Sequence, residues 1–368
     1  MNLFLILIMS FLFACKKENT PTPISDIAIQ YTMPEESTPH EGTWLQWPHH
    51  YQYGVKYRKD VESSWVEMTR ALISSENVHI IAYNQEEKSR IIDLLQSENI
   101  SLSMIDFKMY KTDDVWVRDN GPIYVKDSNG KTVIQDWGFN GWGNKADYTN
   151  CNQIPNKIAQ DQGFEWVDLN HTLINEGGSF EIDGDGTFMA CKSSILNSNR
   201  NPNMTQEKAE KIFKTYLGVT HFIWLDGQAG LEITDQHIDG FARFANPQTI
   251  VTMDNPDLEH YDVKSTDIQR LYSAKTKNGT PYNYIKIPLT SNNVVTSHGK
   301  DLGYKGSYIN YYIGNTVVLV PNYNDPNDSV ANGLIQSLYP NRQVIGIDVR
   351  NLYENGGMIH CVTQQQPE

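Results

Sequence analysis

Glu41-Gly42-Thr43-Trp44-Leu45-Gln46-Trp47-Pro48 opens a stretch in which strand-like and helix-like patterns alternate. These eight residues form a short aromatic run closed by proline, which is typical of a strand. Apolar residues then recur with helical spacing over residues 61–75, and residues 78–82 have the character of a buried strand. A second helical pattern over residues 85–96 and a strand-like one over residues 101–108 follow. Alternation of this kind predicts an α/β fold.

The same alternation returns further along the chain. Residues 317–321 and 344–348 are predicted to be buried strands, with a helical pattern over residues 328–339 between them. A further helix is predicted to begin after Thr205, which is a suitable N-cap, and to end at Gly218. No internal repeat is visible in the sequence.

Two glycine-rich stretches have alternative interpretations. Residues 173–190 have the pattern of a β-hairpin with an Asp-Gly turn. Asp183 and Asp185 in that turn also suggest a calcium loop, but the other ligand positions of an EF-hand are absent, so a turn is favoured. The aromatic and glycine-rich residues 137–143 are interpreted as a packed turn, with a flap as the alternative.

The composition is that of an ordinary globular protein, with 368 residues, 39% hydrophobic and 20% charged. A net charge of −14, without any Lys or Arg run longer than a pair, argues against a nucleic-acid partner. The four cysteines, Cys15, Cys151, Cys191 and Cys361, show no C-x-x-C spacing. This spacing argues against a zinc site and against a disulfide framework.

The N-terminus has the features of an export signal. Residues 2–14 are an apolar run that is too short to cross a bilayer and fits the core of a signal peptide. The run ends at Ala14-Cys15, which resembles a bacterial lipobox and implies cleavage before Cys15 with a lipid on its sulfur. Residues 1–14 are then a signal peptide, residues 15–30 a polar tether, and residues 31–368 the catalytic domain, exported and anchored at the bacterial cell envelope. A buried N-terminal helix is the alternative.

The C-terminal stretch Glu354-Asn355-Gly356-Gly357-Met358-Ile359-His360-Cys361 contains a candidate nucleophile. A cysteine that follows a glycine turn can present its thiol at the rim of a pocket. The alternative is a buried cysteine that acts as a small hydrophobic residue.

Acidic residues recur in segments that are too apolar to be simple surface loops. Asp113, Asp114 and Asp119 flank Val115, Trp116 and Val117, so this segment is predicted to be half-buried, with a solvated loop as the alternative. Buried carboxylates need partners, and Arg118 or a cationic ligand can supply one.

Glu176 precedes Gly177-Gly178, where turn chemistry does not require an acid. His237 and Asp239 alternate with Ile238, so they face the same side if this segment is extended. A carboxylate beside a histidine raises its basicity, although structural His–Asp pairs are common too.

A thiol among several carboxylates fits a cationic electrophile. An acyl hydrolase would place an oxyanion hole beside its nucleophile, not further acids. A guanidinium is planar and positive, and it binds carboxylates in a bidentate manner. The excess of acids therefore favours chemistry on a guanidino group.

Several stretches together resemble the agmatine deiminase and bacterial-type peptidylarginine deiminase family of guanidino-group-modifying enzymes. The matching stretches are residues 44–48, 113–122, 176–178, 196–202, 234–244, 307–310 and 355–364. The resemblance implies a five-bladed, pseudo-symmetric α/β propeller of the pentein type in a single domain. It also implies an enzyme that needs neither a cofactor nor a metal.

The resemblance also implies roles for individual residues. Cys361 is the nucleophile and His237 the general acid and base. Asp119 and Asp239 clamp the guanidinium, and Glu176 holds His237. The residues expected to bind or support the substrate are Trp116, Asp113 and Asn310.

The implied reaction is hydrolytic deimination of agmatine to N-carbamoylputrescine and ammonia, a step of putrescine and polyamine biosynthesis. The alternative substrate is a peptidyl arginine, which would become citrulline, and the export signal favours it. Asn355-Gly356-Gly357-Met358 departs from the three glycines and asparagine of the agmatine enzymes, so the substrate is left open between agmatine and an arginyl peptide. A non-catalytic guanidine-binding lipoprotein is a third possibility. A membrane contact is expected only through the N-terminal anchor.

Overall fold

The computed structural model describes residues 30–368. The predicted signal peptide and the predicted lipidation site Cys15 lie outside this range. The strands are β1 Tyr31–Thr32, β2 His40–Gln46, β3 Asn77–Ala82, β4 Ile105–Met109, β5 Ile123–Asp127, β6 Thr132–Asp136, β7 Glu165–Asp168, β8 Phe180–Ile182, β9 Thr187–Cys191, β10 His221–Leu225, β11 Arg243–Asn246, β12 Thr249–Thr252, β13 Asn283–Lys286, β14 Asn293–Val295, β15 Asp301–Lys305, β16 Tyr312–Ile313, β17 Val317–Asn322, β18 Gln343–Asp348 and β19 Gln364–Pro367.

The helices lie mainly between strands. The α-helices are α1 His50–Leu72, α2 Gln85–Ser97, α3 Val117–Asn120, α4 Gly141–Asn144, α5 Ile154–Gln162, α6 Lys192–Ile195, α7 Gln206–Leu217, α8 Asn255–His260, α9 Ser265–Ser273, α10 Asn327–Leu338 and α11 Arg350–Tyr353. Short 3₁₀ helices occupy Cys151–Gln153, Gly177–Ser179, Ile238–Gly240 and His360–Val362.

Five sheets in the described part of the chain contain the same unit. Each unit has a first strand antiparallel to the second, then a helical connection, then a third strand parallel to the second. The strand sets are β5-β6-β7, β8-β9-β10, β11-β12-β13, β16-β17-β18 and β19-β2-β3. We call them units one to five in this order. The result is a mixed α/β fold, as the sequence predicts.

The fifth unit joins the two ends of the described chain. Its first strand is β19, which pairs antiparallel with β2, and Gln364 lies opposite Trp44. β1 and β4 extend units one and five at their edges, while β14 and β15 form a separate hairpin.

The middle strands are buried because each carries a neighbour on both sides. The side chains of Val78, Ile80 and Ile81 in β3, and of Val318 and Leu319 in β17, are at most 1% exposed. A continuous apolar run, not alternation, is the pattern expected of such strands. The strand predictions for residues 78–82, 317–321 and 344–348 are confirmed. The burial predicted for residues 344–348 is wrong, because β18 lies at the edge of its sheet and only Ile347 in it is buried.

The helix predictions are confirmed with one change of boundary. α2 and α10 lie where the sequence predicts them, and the Thr205 side chain accepts a hydrogen bond from the backbone N–H of Lys208 at the start of α7. α1 begins at His50, well before residue 61. Its first turns are exposed and are separated from the rest by Gly54, at φ 82°, so they lack the apolar spacing that marks the buried part.

The hairpin prediction for residues 173–190 is also confirmed. β8 and β9 are antiparallel, and the Asp183 carboxylate accepts hydrogen bonds from the backbone N–H groups of Asp185 and Thr187, both at 2.8 Å. Asp183 therefore stabilises the turn. No helix within residues 30–368 is long and apolar enough to span a membrane.

Candidate active site

The segment just before the first strand of each unit carries a predicted site residue. In units one to five these residues are Asp119 in α3, Glu176, His237 with Asp239, Asn310, and Cys361 in the last 3₁₀ helix. The units thus place chemically different side chains at corresponding positions of the fold.

Hydrogen bonds connect these segments to one another. The backbone N–H of Gly178 donates to Asp119 Oδ1 at 3.1 Å. Asn310 Nδ2 donates to the backbone carbonyl of Asp239 at 3.3 Å, and Asn310 Oδ1 accepts from the backbone N–H of Cys361 at 3.4 Å. The segments of all five units, including the His237–Glu176 contact described next, therefore belong to one network.

His237 is held between two carboxylates. Its Nε2 lies 2.9 Å from Glu176 Oε2, and its Nδ1 lies 3.7 Å from Asp119 Oδ1. Burial disfavours the charged ring, but the charges of Asp119 and Glu176 outweigh burial and raise the pKa of His237 to about 9. His237 is therefore a cation at neutral pH and can donate a proton.

The local conformation around His237 differs from the extended one considered in the sequence. His237 leads directly into the 3₁₀ helix Ile238–Gly240, so His237 and Asp239 are not placed by strand alternation. Its hydrogen-bonded carboxylate is Glu176, and Asp239 instead pairs with His360. Both side chains nevertheless approach the same point.

That point is the space beside Gly178 that a β-carbon would occupy. A β-carbon built there would lie 2.7 Å from His237 Nδ1 and 2.9 Å from both Asp119 Oδ1 and Asp239 Oδ2. Such distances leave no room for a side chain, so the three functional groups converge where only glycine fits.

A buried arginine, Arg200, holds the Glu176 carboxylate in position. Arg200 Nε donates to Glu176 Oε1 at 2.6 Å, and Arg200 Nη1 donates to Asp235 Oδ2 at 2.6 Å. The Arg200 side chain is fully buried. Arg200 is a site residue that sequence reasoning missed, although a lone arginine within a run of Asn residues is a weak signal for it.

A strained tryptophan holds Asp119. Trp142 Nε1 donates to Asp119 Oδ2 at 2.9 Å, and Trp142 has a φ of 53°, which is rare for a bulky side chain. Trp137, Phe139 and Trp142 are all buried, which confirms the packed-turn interpretation of residues 137–143. The sequence did not indicate that this turn also reaches the active site.

Cys361 is half-buried, and its Sγ lies 3.4 Å from Asn310 Oδ1. Burial raises the pKa of the Cys361 thiol well above its usual value, and the charges of Asp239 and Asp119 add to this effect. The resting sulfur is therefore a thiol.

Behind Cys361, His360 bridges two carboxylates. His360 Nδ1 lies 2.7 Å from Asp239 Oδ2, and Nε2 lies 2.8 Å from Glu36 Oε2. Burial opposes ionisation of both acids. His360 nevertheless lowers the pKa of Asp239, and Arg243 together with His360 holds the pKa of Glu36 well below its usual value. The His360 ring is therefore held between two carboxylates, one from unit three and one from the segment before β2.

A cavity of about 190 Å³ leads to Cys361. Aromatic rings of Tyr53, Tyr57, Trp116 and Trp142 form much of its wall. A β-carbon on Gly357 would lie 2.1 Å from the Trp116 ring, so the indole packs directly on this glycine. The cavity therefore offers a substrate an aromatic passage from the surface to the thiol.

The structure corrects the prediction for Asp113. Its carboxylate accepts hydrogen bonds from the backbone N–H groups of Asn150 and Cys151, at 2.7 and 3.0 Å, and it does not line the cavity. Asp113 stabilises the neighbouring loop, and Asp114 lines the cavity instead. Sequence alone did not show which of two adjacent acids faces the cavity.

The family model for Porphyromonas-type peptidyl-arginine deiminases matches residues 32–367. The chain belongs to this family. An agmatine deiminase of Pseudomonas aeruginosa is 30% identical over 370 residues, which cover 95% of this chain and 98% of the relative. The resemblance drawn from the sequence is confirmed.

Solved structures of similar proteins cover almost the whole described fold. An agmatine deiminase of Enterococcus faecalis has a TM-score of 0.80 at 26% identity, over 96% of this chain and 100% of its own. A Porphyromonas gingivalis protein named a "putative arginine deiminase" has a TM-score of 0.80 at 30% identity, over 92% of this chain and 98% of its own.

Proposed function

We propose that this protein hydrolyses a guanidinium group through a covalent cysteine intermediate, and that its substrate is agmatine. The observation that carries the proposal is the convergence of Asp119, His237 and Asp239 over Gly178, in a site whose carboxylates disfavour a thiolate at Cys361. Such a field hinders a neutral or anionic substrate and suits a cation. Relatives named agmatine deiminase, at about the same length, support this substrate.

In the proposed first step the cationic substrate lowers the pKa of Cys361, and the thiol proton leaves to solvent. The thiolate attacks the central guanidinium carbon, forming a C–S bond. The C–N bond to the departing nitrogen breaks as His237 donates its proton, and ammonia leaves. An S-alkylthiouronium remains on Cys361.

In the second step the now neutral His237 takes a proton from water. The resulting hydroxide attacks the same carbon, the C–S bond breaks, and the electron pair returns to sulfur. The proton of the new O–H group then passes to the Cys361 thiolate, which restores the thiol as the carbonyl forms, and His237 keeps the proton taken from water. The products are N-carbamoylputrescine and the free enzyme.

The remaining side chains have positioning roles in this proposal. Asp119 and Asp239 clamp the guanidinium in a bidentate manner, and Glu176 orients His237. Trp116, packed on Gly357, covers the methylene chain of the substrate. Asn310 holds the segment of Cys361 through its side-chain oxygen.

We also propose that the five units form a five-bladed, pseudo-symmetric propeller in a single domain. Their shared connectivity supports this arrangement, as does the network that joins the segments before their first strands. A propeller axis through this network would explain why each unit contributes to one site.

A second candidate substrate is a peptidyl arginine. The description of the matching family favours it, and so does the export signal predicted for residues 1–14. We propose that the protein is exported and lipid-anchored at Cys15, with residues 15–30 as its tether. An enzyme at the cell envelope is in contact with proteins and peptides, which could provide a peptidyl arginine. Agmatine could be its substrate only if agmatine is supplied at the same location.

One substrate panel tests the proposed function. Ammonia and ureido product are measured with agmatine, free arginine and a blocked arginyl peptide, for the wild type, for Cys361→Ala and for the control Cys15→Ser. We expect turnover of agmatine by the wild type and the control, and a loss of at least about 10³-fold in Cys361→Ala. Retained activity in Cys361→Ala contradicts the mechanism, and preferred turnover of the peptide contradicts agmatine as the substrate.

A further inference from the structure

Asp114 differs from the other carboxylates of the active site in its partners. Asp119 faces His237, Glu176 is paired with Arg200, and Asp239 is paired with His360. None of the ion pairs found within residues 30–368 includes Asp114.

The neutral contacts of Asp114 fix its position. Asp114 Oδ2 accepts a hydrogen bond from the Tyr53 hydroxyl at 2.8 Å, and Oδ1 accepts one from the backbone N–H of Val115 at 2.9 Å. Gln46 Nε2 donates to the Asp114 backbone carbonyl at 2.8 Å. The carboxylate is therefore held in place without a positive charge to balance it.

Burial raises the pKa of the Asp114 carboxyl to about 6. A half-buried carboxylate in this condition is stabilised by any cation that reaches it. The surroundings of the Asp114 carboxylate thus lack a positively charged hydrogen-bond donor.

Asp114 and Asp119 both line the same cavity but differ in depth. Asp119 is 7% exposed and adjoins the His237 and Gly178 cluster. Asp114 is half-buried and bonds to Tyr53, which is 49% exposed and stands at the mouth. Aromatic rings of Trp116 and Trp142 line the same cavity. The cavity therefore has an anionic inner end, an anionic outer end and aromatic rings in its wall.

We propose that Asp114 binds the ammonium end of a dicationic substrate and thereby selects agmatine over arginine and arginyl peptides. This inference rests on the proposed function, because the inner end must hold the guanidinium. An ammonium donates several charge-assisted hydrogen bonds to a carboxylate, and these are stronger than neutral ones.

The same residue discriminates against the alternative substrates. Free arginine carries an α-carboxylate beside its α-ammonium, so a second negative charge would approach Asp114. A blocked arginyl peptide brings no charge to this end and leaves the buried carboxylate without a cation. Asp114 thus acts through both attraction and repulsion.

The test compares two substrates of equal length. In pentylguanidine a methyl group replaces the ammonium of agmatine, and the guanidinium end is unchanged. We expect Asp114→Asn to lower kcat/KM for agmatine by about 10- to 100-fold, mostly through KM, since one charge-assisted interaction is lost. Turnover of pentylguanidine should change by less than about two-fold.

Asp147→Asn is the matched control. Asp147 is exposed and near the mouth, and its substitution removes the same charge without altering the cavity lining. We expect this variant to keep the wild-type preference for agmatine. The inference is overturned if Asp114→Asn lowers kcat/KM equally for agmatine and pentylguanidine, or lowers it for neither.

A binding experiment separates failure of this inference from failure of the proposed function. Agmatine and pentylguanidine are titrated calorimetrically into Cys361→Ser, with and without Asp114→Asn. If the wild type turns over no guanidine, the proposed function fails, and the titration still decides the role of Asp114. A preference for agmatine that disappears with Asp114→Asn supports that role, and a preference that persists contradicts it.

Discussion

Cys361, His237 and their carboxylates form a buried site that disfavours a thiolate until a cation is bound. At rest the sulfur is a thiol and His237 is an imidazolium, so the site lacks the thiolate–imidazolium pair found in many cysteine hydrolases. A bound guanidinium supplies the positive charge that makes a thiolate stable beside Asp119 and Asp239. Selectivity for cations is therefore a property of the nucleophile itself, in addition to the shape of the cavity.

Replacing Glu176 by Gln should change how stability depends on pH. The folded pKa of His237, about 9, is above its unfolded value of about 6.5. The imidazolium therefore contributes stability that is fully present below about pH 6.5 and is lost as the pH rises through about 9. Because Glu176 helps to raise this pKa, the stability difference between wild type and Glu176→Gln should shrink from about pH 6 to about pH 9.5.

Urea unfolding at several pH values measures this difference. Glu98→Gln, which changes an exposed carboxylate paired with Arg70, serves as the control. Its effect should be small and nearly independent of pH. A Glu176→Gln difference that stays constant across this pH range would contradict the role of Glu176 in holding His237 charged.

Several site residues were predictable from the sequence for a physical reason. Glu176 precedes a glycine pair where turn chemistry requires no acid, and Asp119 lies in a segment too apolar for a surface loop. Cys361 follows a glycine turn that can present a thiol at the rim of a pocket. Arg200 and Trp142 were not predictable, because their partners are distant in sequence and their local patterns suit an ordinary loop.

At the scale of secondary-structure elements, the 3₁₀ turn Gly177–Ser179 sets the spacing of the active site. It brings the backbone of unit two under the side chains of units one and three, with Gly178 as the point of contact. Such a turn could be expected from the Gly-Gly pair, but its neighbours could not, since they come from other units.

Gly178→Ala should impair catalysis strongly. The added methyl group would displace His237, Asp119 or Asp239 by some tenths of an ångström or more, because it starts 2.7 to 2.9 Å from all three. We expect kcat to fall at least about 100-fold, with a loss of stability of about 1 to 3 kcal/mol from overpacking. Steady-state kinetics and urea unfolding measure the two effects.

Gly333→Ala is the matched control for this prediction. Gly333 lies in α10 and is exposed, and a β-carbon built on it would have no other atom within 4 Å. The same chemical change should therefore stabilise the protein by roughly 0.5 to 1 kcal/mol, through helix propensity, and leave kcat unaltered. Equal kinetic effects of the two variants would argue against crowding at Gly178.

At the scale of the whole molecule, five units of one connectivity support a single site. The sequence shows no repeat because the units share geometry without sharing most of their side chains. Some of their first strands have only two or three residues, and Asp is the only site residue that recurs among the units. Periodicity can reveal the longer strands β3 and β17, but it cannot reveal that β8 and β16 occupy corresponding positions. The fifth unit is invisible to any local pattern, because its strands come from both ends of the described chain.

Removing residues 364–368 should abolish activity and cooperative unfolding. β19 fills the outer side of β2, and its Gln365 and Gln366 accept hydrogen bonds from Arg118 and Trp44. Without this strand, the segment of Cys361 loses its anchor. Circular dichroism during thermal unfolding, together with agmatine turnover, measures the result.

Removing residues 1–29 provides the contrast. The five units, the cavity and the network around Cys361 are all built from residues 30–368. We therefore expect the midpoint of thermal unfolding and kcat to remain within error of the wild type. If removal of residues 1–29 unfolds the protein, these residues belong to the folded domain. That result would contradict the predicted signal peptide and tether.

The pairing of β19 with β2 also imposes an order on biosynthesis. Trp44 and Gln366 are hydrogen-bonded although they are 322 positions apart, so the ribosome must translate all the residues between them before this contact can form. The nascent chain can assemble units one to four while it is still being made, but it carries no nucleophile and no completed fifth unit. Such a polypeptide is inert towards guanidines until Cys361 has been added, and its fifth unit stays incomplete until β19 emerges from the ribosome.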